Sequence, residues 1–432
     1  MAIAAETGQH LSHKAIARPS YIREDIFVVL IWSYLLVSGS LLQLAGWHYG
    51  GGGSEIEKLH PATYGVFLWI ALSLAISPRF RSSVVQIVAK DWPLLSYGAS
   101  VALIAIYSIV AKETSITPSV ETLITPIVAT VALITLTKRS LVVLRTGIDA
   151  IMIAGIAMIF VEYLLGHPLI PVYSGDTINT AEAINTLNRP AALFGHPLSA
   201  GAFLALYSML CLMAPPGSHW TTFVRPGLAV LALGAAATTG SRSAMVVSIA
   251  MIGLFGLMGL FTGLVTNRVR RSSVFAAAIL VGAVLVGVPL LASLGFFDVL
   301  LYRFDNDSGS ALAREMAIQI LTSIKLDDLW FGIKPQESFA IQQSYGLLAI
   351  EISWINFILV CGIVFTVPFF ITYILYWFVS VPRYCVRSIY FVSLTYFILS
   401  ASSNGLWTKT TGLTIGIVMS FAFLRKDLVK RF

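Results

Sequence analysis

The sequence predicts an all-α integral membrane protein, and three observations support that prediction. Hydrophobic residues make up 57% of the 432 residues and charged residues only 11%, whereas soluble domains are about one quarter charged. Apolar runs of membrane-spanning length follow one another with short breaks between them. Lys and Arg residues are concentrated in alternate connections. These features indicate one polytopic helical domain rather than two or three soluble domains.

Twelve apolar segments are each about long enough for a helix that crosses a bilayer. The sequence therefore predicts about twelve transmembrane helices in a domain that covers residues 26–424, between an N-terminal tail (1–25) and a C-terminal tail (425–432). The segments are 26–45, 61–77, 92–111, 120–137, 147–165, 198–214, 226–240, 244–266, 273–296, 351–378, 388–403 and 410–424.

The distribution of basic residues predicts the orientation. Of the 28 Lys and Arg residues, 19 fall in the set of connections that includes both tails, and the other nine are spread over much longer sequence. Positive residues stay on the cytoplasmic side, so both tails are expected in the cytoplasm. Two long connections, 166–197 and 297–350, are expected outside. The net charge of +7 thus has a topological explanation, and nucleic acid is not an expected partner.

The outer connection 297–350 contains an amphipathic stretch, SALAREMAIQILTSIK, at 310–325. Arg314 and Glu315 lie on one face of the expected helix. The opposite face carries the apolar residues Leu312, Met316, Ile320 and Ile324. This spacing predicts a helix that lies at the outer membrane surface.

Several signatures of cofactor and metal chemistry are absent from the sequence. There is no GxxxxGK[ST] phosphate loop, no GxGxxG after a strand and no HExxH. Cys211, Cys361 and Cys385 lie in or beside apolar segments, at spacings that fit neither a disulfide framework nor a zinc site. We therefore expect no metal and no cofactor, and a packing role for the cysteines.

Three arginines stand out at the predicted outer side. Arg189 precedes an apolar segment, and Arg242 lies between two spans that almost touch. An arginine near hydrocarbon is costly unless it pairs or lines a watery cavity, so both are functional candidates. The alternative is snorkelling to the interface or a structural salt bridge. Arg314 lies on the long outer connection, where a solvated helix face is the alternative.

A carboxylate and a histidine complete the candidate set. Glu351 stands at the start of a long span, where the alternative is an interfacial carboxylate paired with an arginine. His196 lies in a GHP triplet, like His167, and is either a turn residue or a catalyst. Arginines match phosphate oxygens with bidentate geometry, so the set fits a phosphate-bearing substrate better than a transported cation.

The order of four motifs resembles the O-antigen ligase and polymerase superfamily, which includes WaaL-type ligases, Wzy-type polymerases and exopolysaccharide polymerases. The resemblance covers roughly residues 120–424. The motifs are RPAALFGHPLSAGAFLA at 189–205, TTGSRSAMV at 238–246, ALAREMAIQIL at 311–321 and LWFGIKP at 329–335.

The resemblance implies a metal-independent glycosyltransferase at the periplasmic face of the bacterial inner membrane. It would take a glycan from undecaprenyl pyrophosphate, with Arg189, Arg242 and Arg314 at the positions that hold the pyrophosphate in the family. The ligases have a histidine in an HNxxL-like stretch, where this chain has Glu351 followed by Ile352. Glu351 is therefore expected to act as the base that activates the acceptor hydroxyl.

The resulting functional prediction is a polysaccharide polymerase that joins lipid-linked repeat units. A ligase that delivers glycan to lipid A core or to a protein is the alternative within the family. A lipid or polysaccharide transporter and a membrane sensor are the alternatives from other classes, and transporters place substrate groups at mid-membrane in broken helices. The expected partners are the lipid-linked donor and acceptor, membrane lipids, and a chain-length regulator or export machinery.

Overall fold

A computed structural model describes most of the chain. The described residues are 24–49, 53–174, 177–178, 189–214, 219–266, 310–347, 350–401, 403–428 and isolated positions between 289 and 302. The predicted N-terminal tail up to residue 23, nearly all of the predicted 273–296 span and parts of the 297–350 connection lie outside these residues.

The all-α prediction is confirmed, apart from a hairpin of two-residue strands, β1 (Tyr173–Ser174) and β2 (Thr177–Ile178). A π-helical turn, Ser119–Ile124, precedes α6, and a second, Tyr376–Ser380, joins α14 to α15. The helices are α1 (Glu24–Leu36), α2 (Gly39–Leu44), α3 (Pro61–Ile76), α4 (Pro78–Lys90), α5 (Trp92–Val110), α6 (Thr125–Thr135), α7 (Lys138–Leu165), α8 (Pro197–Met213), α9 (His219–Thr238), α10 (Arg242–Val265), α11 (Ser310–Ser323), α12 (Leu326–Phe331), α13 (Pro335–Ser344), α14 (Ser353–Leu375), α15 (Val381–Tyr384), α16 (Ile389–Ala401) and α17 (Gly412–Leu424).

The predicted count of twelve spans is not supported. Among the described residues, four helical stretches are long and apolar enough to cross a membrane: α5, α7, α10 and the stretch from α14 through α15. A fifth span results if α3 and α4, which are bent by 109° at their junction, are counted together. Five further apolar helices are shorter, with 10–17 residues. A multi-pass membrane protein with four or five candidate spans is the architecture that helix length and composition support.

Interruptions explain why the helices are shorter than the apolar runs. The predicted span 26–45 is divided after α1, because the Ser38 side chain caps α2. The predicted span 120–137 begins with a π-helical turn, and α14 contains the non-helical residue Gly362. A 13-residue helix such as α1 extends only about 20 Å, compared with a hydrocarbon core of about 30 Å. Hydropathy alone does not detect such breaks.

The break in α14 is where the outer connection joins the bundle. Gly362 has a φ of 76°, a region that favours glycine. The segment that follows α12 lies against the break: the Ile333 amide donates to the Leu359 carbonyl at 2.7 Å. Lys112 Nζ donates to the Gly332 carbonyl at 2.7 Å. Part of the long connection is therefore packed against the helix bundle.

The predicted amphipathic helix is confirmed as α11, and part of its apolar face packs against protein. Ile320 is buried in a cluster that includes Ile350 and Ile355, and Met316 packs against this cluster. Leu312, predicted to share that face, is 53% exposed. The face therefore forms a small core of its own with the start of α14.

Contacts at the two ends of the bundle join connections that were predicted to share a side. At one end, the Thr137 hydroxyl donates to Glu24 Oε2 at 2.6 Å; Glu24 lies in the predicted N-terminal tail and Thr137 at the end of the predicted span 120–137. At the other end, the Ser115 hydroxyl donates to Glu55 Oε2 at 2.6 Å, and both were predicted to be outside. These contacts join connections that were predicted to share a side, and which side faces the cytoplasm stays a prediction.

Candidate functional site

A cavity of about 550 Å³ opens at the end of the bundle that is predicted to face outward. This volume is typical of small-molecule sites. The walls come from parts of the chain that are distant in sequence: the end of α1, the segment around α2, the turn before α8 and the connection before α17. We call this space the outer cavity.

The outer cavity presents hydroxyl groups and aromatic rings. Lys409 and His196 are its two basic side chains. Its hydroxyl and aromatic lining includes Tyr34, Ser38, Tyr49, Tyr173, Ser199 and Trp407. Rings offer flat apolar faces with a polar edge, and hydroxyls both donate and accept hydrogen bonds. This lining fits a ligand that is rich in hydroxyl groups.

Lys409 is held against the cavity wall by two contacts with Tyr49. Its Nζ donates a short hydrogen bond to the Tyr49 carbonyl and lies 4.1 Å from the centroid of the Tyr49 ring. A cation at this distance from an aromatic face is attracted by the ring quadrupole. The cavity therefore has a positive charge fixed in its wall.

The turn before α8 positions His196. Gly195 adopts a φ of 74°, and its carbonyl accepts a hydrogen bond from the Ser40 hydroxyl at 3.1 Å. His196 is the N-cap of α8, and its Nδ1 accepts the Leu198 amide at 3.2 Å. Nδ1 must be unprotonated to accept, so the ring proton is on Nε2.

His196 is uncharged at neutral pH. The side chain is exposed and lines the outer cavity. Desolvation by the protein around the ring, with a smaller contribution from the positive charge of Arg189, lowers the pKa of His196 to about 4. His196 is therefore a neutral hydrogen-bonding group in the cavity wall.

The structure brings Arg189, Arg242 and His196 to one region. Arg189 Nε donates to the Thr239 carbonyl at 2.8 Å, three residues before Arg242 begins α10. The turn between α9 and α10 packs against α8 so closely that Gly201 has no room for a side chain. Arg189 and Arg242 thus flank one turn beside the first turns of α8, and Arg189 acts electrostatically on His196.

Arg314 and Glu351 lie elsewhere. Arg314 is exposed on α11, and Glu351 is exposed two residues before α14 begins. The start of α14 is fixed by the Ser353 amide, which donates to the Ser403 carbonyl at 3.1 Å. Neither predicted residue is part of the outer-cavity lining.

Sequence reasoning did not select Glu121, which lies behind the outer cavity. Its side chain is 0% exposed, and its carboxylate accepts the His60 amide at 3.0 Å and the Thr63 hydroxyl at 3.0 and 3.1 Å. The available signal was a single acidic residue inside an apolar segment, which is a functional hypothesis by default. In the sequence, Lys409 is one of the nine basic residues of the predicted outer connections.

A smaller cavity of about 240 Å³ adjoins the outer cavity, and Pro118 and Trp407 line both. Its other walls combine apolar side chains, such as Ile104, Leu123 and Phe357, with the hydroxyl groups of Ser108, Thr114, Ser115 and Ser119. We call it the side cavity. Trp407 therefore lies between two cavities that both present hydroxyl groups, the smaller one with a larger share of apolar side chains.

Within the described ranges, no group of three or more His, Cys, Asp or Glu side chains is arranged to hold a metal ion. Comparison of the chain with protein-family models, with characterised proteins and with solved structures finds no match.

Proposed function

We propose that the protein is a glycosyltransferase that polymerises undecaprenyl-pyrophosphate-linked oligosaccharide repeat units into a surface polysaccharide at the outer face of the bacterial cytoplasmic membrane. The observation that supports this proposal best is the outer cavity, which offers hydroxyls, aromatic faces and a fixed lysine, beside a region that contains two arginines. A sugar linked to a pyrophosphate requires hydroxyl groups and aromatic faces that bind the sugar, together with positive charges that bind the pyrophosphate.

In this proposal the arginines bind the pyrophosphate of the donor. Guanidinium groups keep their charge in any environment and bind phosphate oxygens in pairs. Arg189 and Arg242 lie at one turn next to His196 in the cavity wall. When the anomeric carbon is attacked, negative charge develops on the departing pyrophosphate, and fixed cations stabilise it. Arg314, exposed on α11, is the third arginine proposed for this role.

The two adjoining cavities support a polymerase, which handles two lipid-linked chains. The outer cavity would hold sugar units of one substrate, and the side cavity, which has both apolar and hydroxyl walls, would hold a portion of the other. Trp407 lines both spaces, so it would contact both ligands. Glu351, predicted as the base, would have to serve this site from the exposed start of α14.

A proton-coupled or ion-coupled transporter is the second candidate. A buried ionisable residue beside a cavity, at a helix interruption, is a common arrangement in transporters. Glu121 in the π-helical turn before α6 has this arrangement.

Deletion of the gene tests the proposed function. For a polymerase, the deletion strain should accumulate single lipid-linked repeat units, whereas accumulation of free long polymer would indicate a ligase. Purified protein should then extend the accumulated units in vitro. An unchanged surface glycan would contradict both glycosyltransferase assignments. The transporter would be favoured if the purified protein moves the lipid-linked units across vesicle membranes without extending them.

A further inference from the structure

The buried carboxylate of Glu121 is connected to the outer cavity by hydroxyl groups. The Tyr34 side chain lines the cavity, and its hydroxyl oxygen lies 2.6 Å from Thr63 Oγ1. Thr63 Oγ1 lies 3.0 Å from Glu121 Oε1 and 3.1 Å from Oε2. Tyr34 is 3% exposed and Thr63 is 1% exposed. A continuous chain of hydrogen bonds therefore joins the cavity wall to a carboxylate that solvent does not reach.

The direction of these hydrogen bonds follows from counting protons. An ionised carboxylate only accepts, so Thr63 donates its single hydroxyl proton to Glu121. Thr63 then has no proton for Tyr34, and the Tyr34 hydroxyl must be the donor between them. Both donors in the chain point away from the cavity and toward Glu121. The Tyr34 oxygen also has the Thr125 side chain as a hydrogen-bond partner, which leaves one of its two lone pairs to accept a hydrogen bond from a hydroxyl in the cavity.

A purely structural role explains only part of this arrangement. The bond from the His60 amide ties the start of α3 to the π-helical turn, and an amide or hydroxyl acceptor at position 121 could do the same. Burial of a carboxylate is costly, and π-helical turns occur frequently at functional sites. Lys409, in the cavity wall, supplies a compensating positive charge that acts on Glu121.

We propose that Tyr34 is a catalytic residue that takes the proton of the acceptor hydroxyl, and that Thr63 and Glu121 are positioning residues that receive the proton from Tyr34 in turn. This inference rests on the proposed function and deepens it. It assigns the base to the wall of the outer cavity rather than to Glu351.

The step balances as follows. The acceptor oxygen forms a bond to the anomeric carbon of the donor while the bond from that carbon to the pyrophosphate oxygen breaks, and the pyrophosphate leaves with the electron pair. The acceptor proton moves to Tyr34, the Tyr34 proton to Thr63 and the Thr63 proton to Glu121. After product release, the reverse relay returns one proton to the cavity, and Glu121 is ionised again.

The titration of Glu121 can be separated from that of its neighbours. The groups that face it are His60, Tyr34, Tyr49, Tyr64 and Lys409. Burial lowers the pKa of His60 to about 4, and tyrosine and lysine side chains ordinarily titrate near pH 10. A loss of turnover on acidification that disappears in Glu121→Gln is therefore assigned to protonation of Glu121.

The test measures extension of the lipid-linked repeat units that the deletion strain accumulates, with purified variants normalised to folded protein. Tyr34→Phe, Thr63→Val and Glu121→Gln should each lower kcat about a hundredfold or more, with KM within about threefold of wild type. Thr63→Ser keeps the hydroxyl and should retain most of the activity. Wild-type turnover should fall on acidification, and Glu121→Gln should lose this pH dependence.

The matched controls come from a second buried pair, in which the Tyr207 hydroxyl donates to Asp149 Oδ1 at 2.8 Å. Neither residue lines a cavity that we describe, so Tyr207→Phe and Asp149→Asn should keep turnover and its pH dependence. Glu121→Gln turnover within about threefold of wild type, or equal losses in the controls, would overturn the inference while leaving the proposed function in place. A wild-type protein that extends nothing would overturn both.

Discussion

Glu121 and Glu351 differ in almost every physical respect. Glu121 is fully buried, accepts hydrogen bonds from His60 and Thr63, and lies behind the outer cavity. Glu351 is exposed at the start of α14, beyond the cavity lining. The comparison shows that a charged residue at the end of a predicted span, such as Glu351, does not necessarily line a cavity. A charged residue inside an apolar segment, such as Glu121, can be connected to a cavity by the hydrogen bonds of its neighbours.

The largest expected effect comes from exchanging each carboxylate for an amide. Glu121→Gln should lower turnover about a hundredfold to ten-thousandfold, as loss of a proton acceptor typically does. Glu351→Gln should lower turnover by less than about threefold, because Glu351 lies outside the lining of the outer cavity. Initial rates of repeat-unit extension by the two variants, side by side, measure the difference. The reverse ranking would restore Glu351 as the base and contradict the role of Glu121.

The arginines that are proposed to bind the pyrophosphate can be compared in the same way. Arg189→Lys keeps the positive charge but loses the forked geometry of the guanidinium and its hydrogen bond to the Thr239 carbonyl. Hydrogen bonds to charged groups contribute about 1.5–3 kcal/mol. We therefore expect kcat/KM to fall about tenfold to a hundredfold. Arg314→Lys, on an exposed helix face, is the matched comparison. Equal losses would support the family-based prediction that both bind pyrophosphate, and a silent Arg189→Lys would favour a snorkelling or structural role.

The link between the outer connection and the bundle can be broken at Gly362. An added Cβ would overlap the Trp330 carbonyl, and φ is 76°, so Gly362→Ala should lower the melting midpoint in detergent by several degrees. Gly98→Ala in α5 is the control, because nothing lies within 4 Å of its added Cβ. Alanine there should be neutral or stabilising by about 0.4–1 kcal/mol. Equal midpoints for the two variants would contradict the packed break.

The smallest effect concerns acid stability. The pKa of His196 is about 4 in the folded protein, below the ordinary value of about 6.5. Between pH 6.5 and 4 the unfolded chain takes up a proton that the folded chain does not, so His196 reduces stability as the pH falls through this window. His196→Gln should therefore show a smaller drop in melting midpoint from pH 7.5 to 5 than wild type. His167→Gln, in the other GHP triplet, is the control, and an unchanged drop in His196→Gln would contradict the assignment.

The structure brings three of the predicted site residues into one region, and their roles stay predictions. Arg189, Arg242 and His196 were selected because charged or titratable residues interrupt apolar sequence at outer turns, and the structure brings them together because those turns pack against α8. Lys409 and Glu121 were not selected as site residues. Lys409 belongs to the cavity only because Tyr49, 360 positions away, holds it there.

The sequence alone determined the all-α class, a polytopic membrane architecture and an amphipathic helix in the outer connection. These properties depend on composition and on periodicity within one segment, and both are visible without tertiary contacts. The number of spans depended on breaks such as the one after α1, where the Ser38 side chain caps a new helix inside the predicted span 26–45. The outer cavity and the chain from Tyr34 through Thr63 to Glu121 were decided by tertiary structure, because they join side chains from α1, α3 and the turn before α6. Hydrogen bonds between such distant segments depend on how the helices pack, and no periodicity in the sequence records that packing.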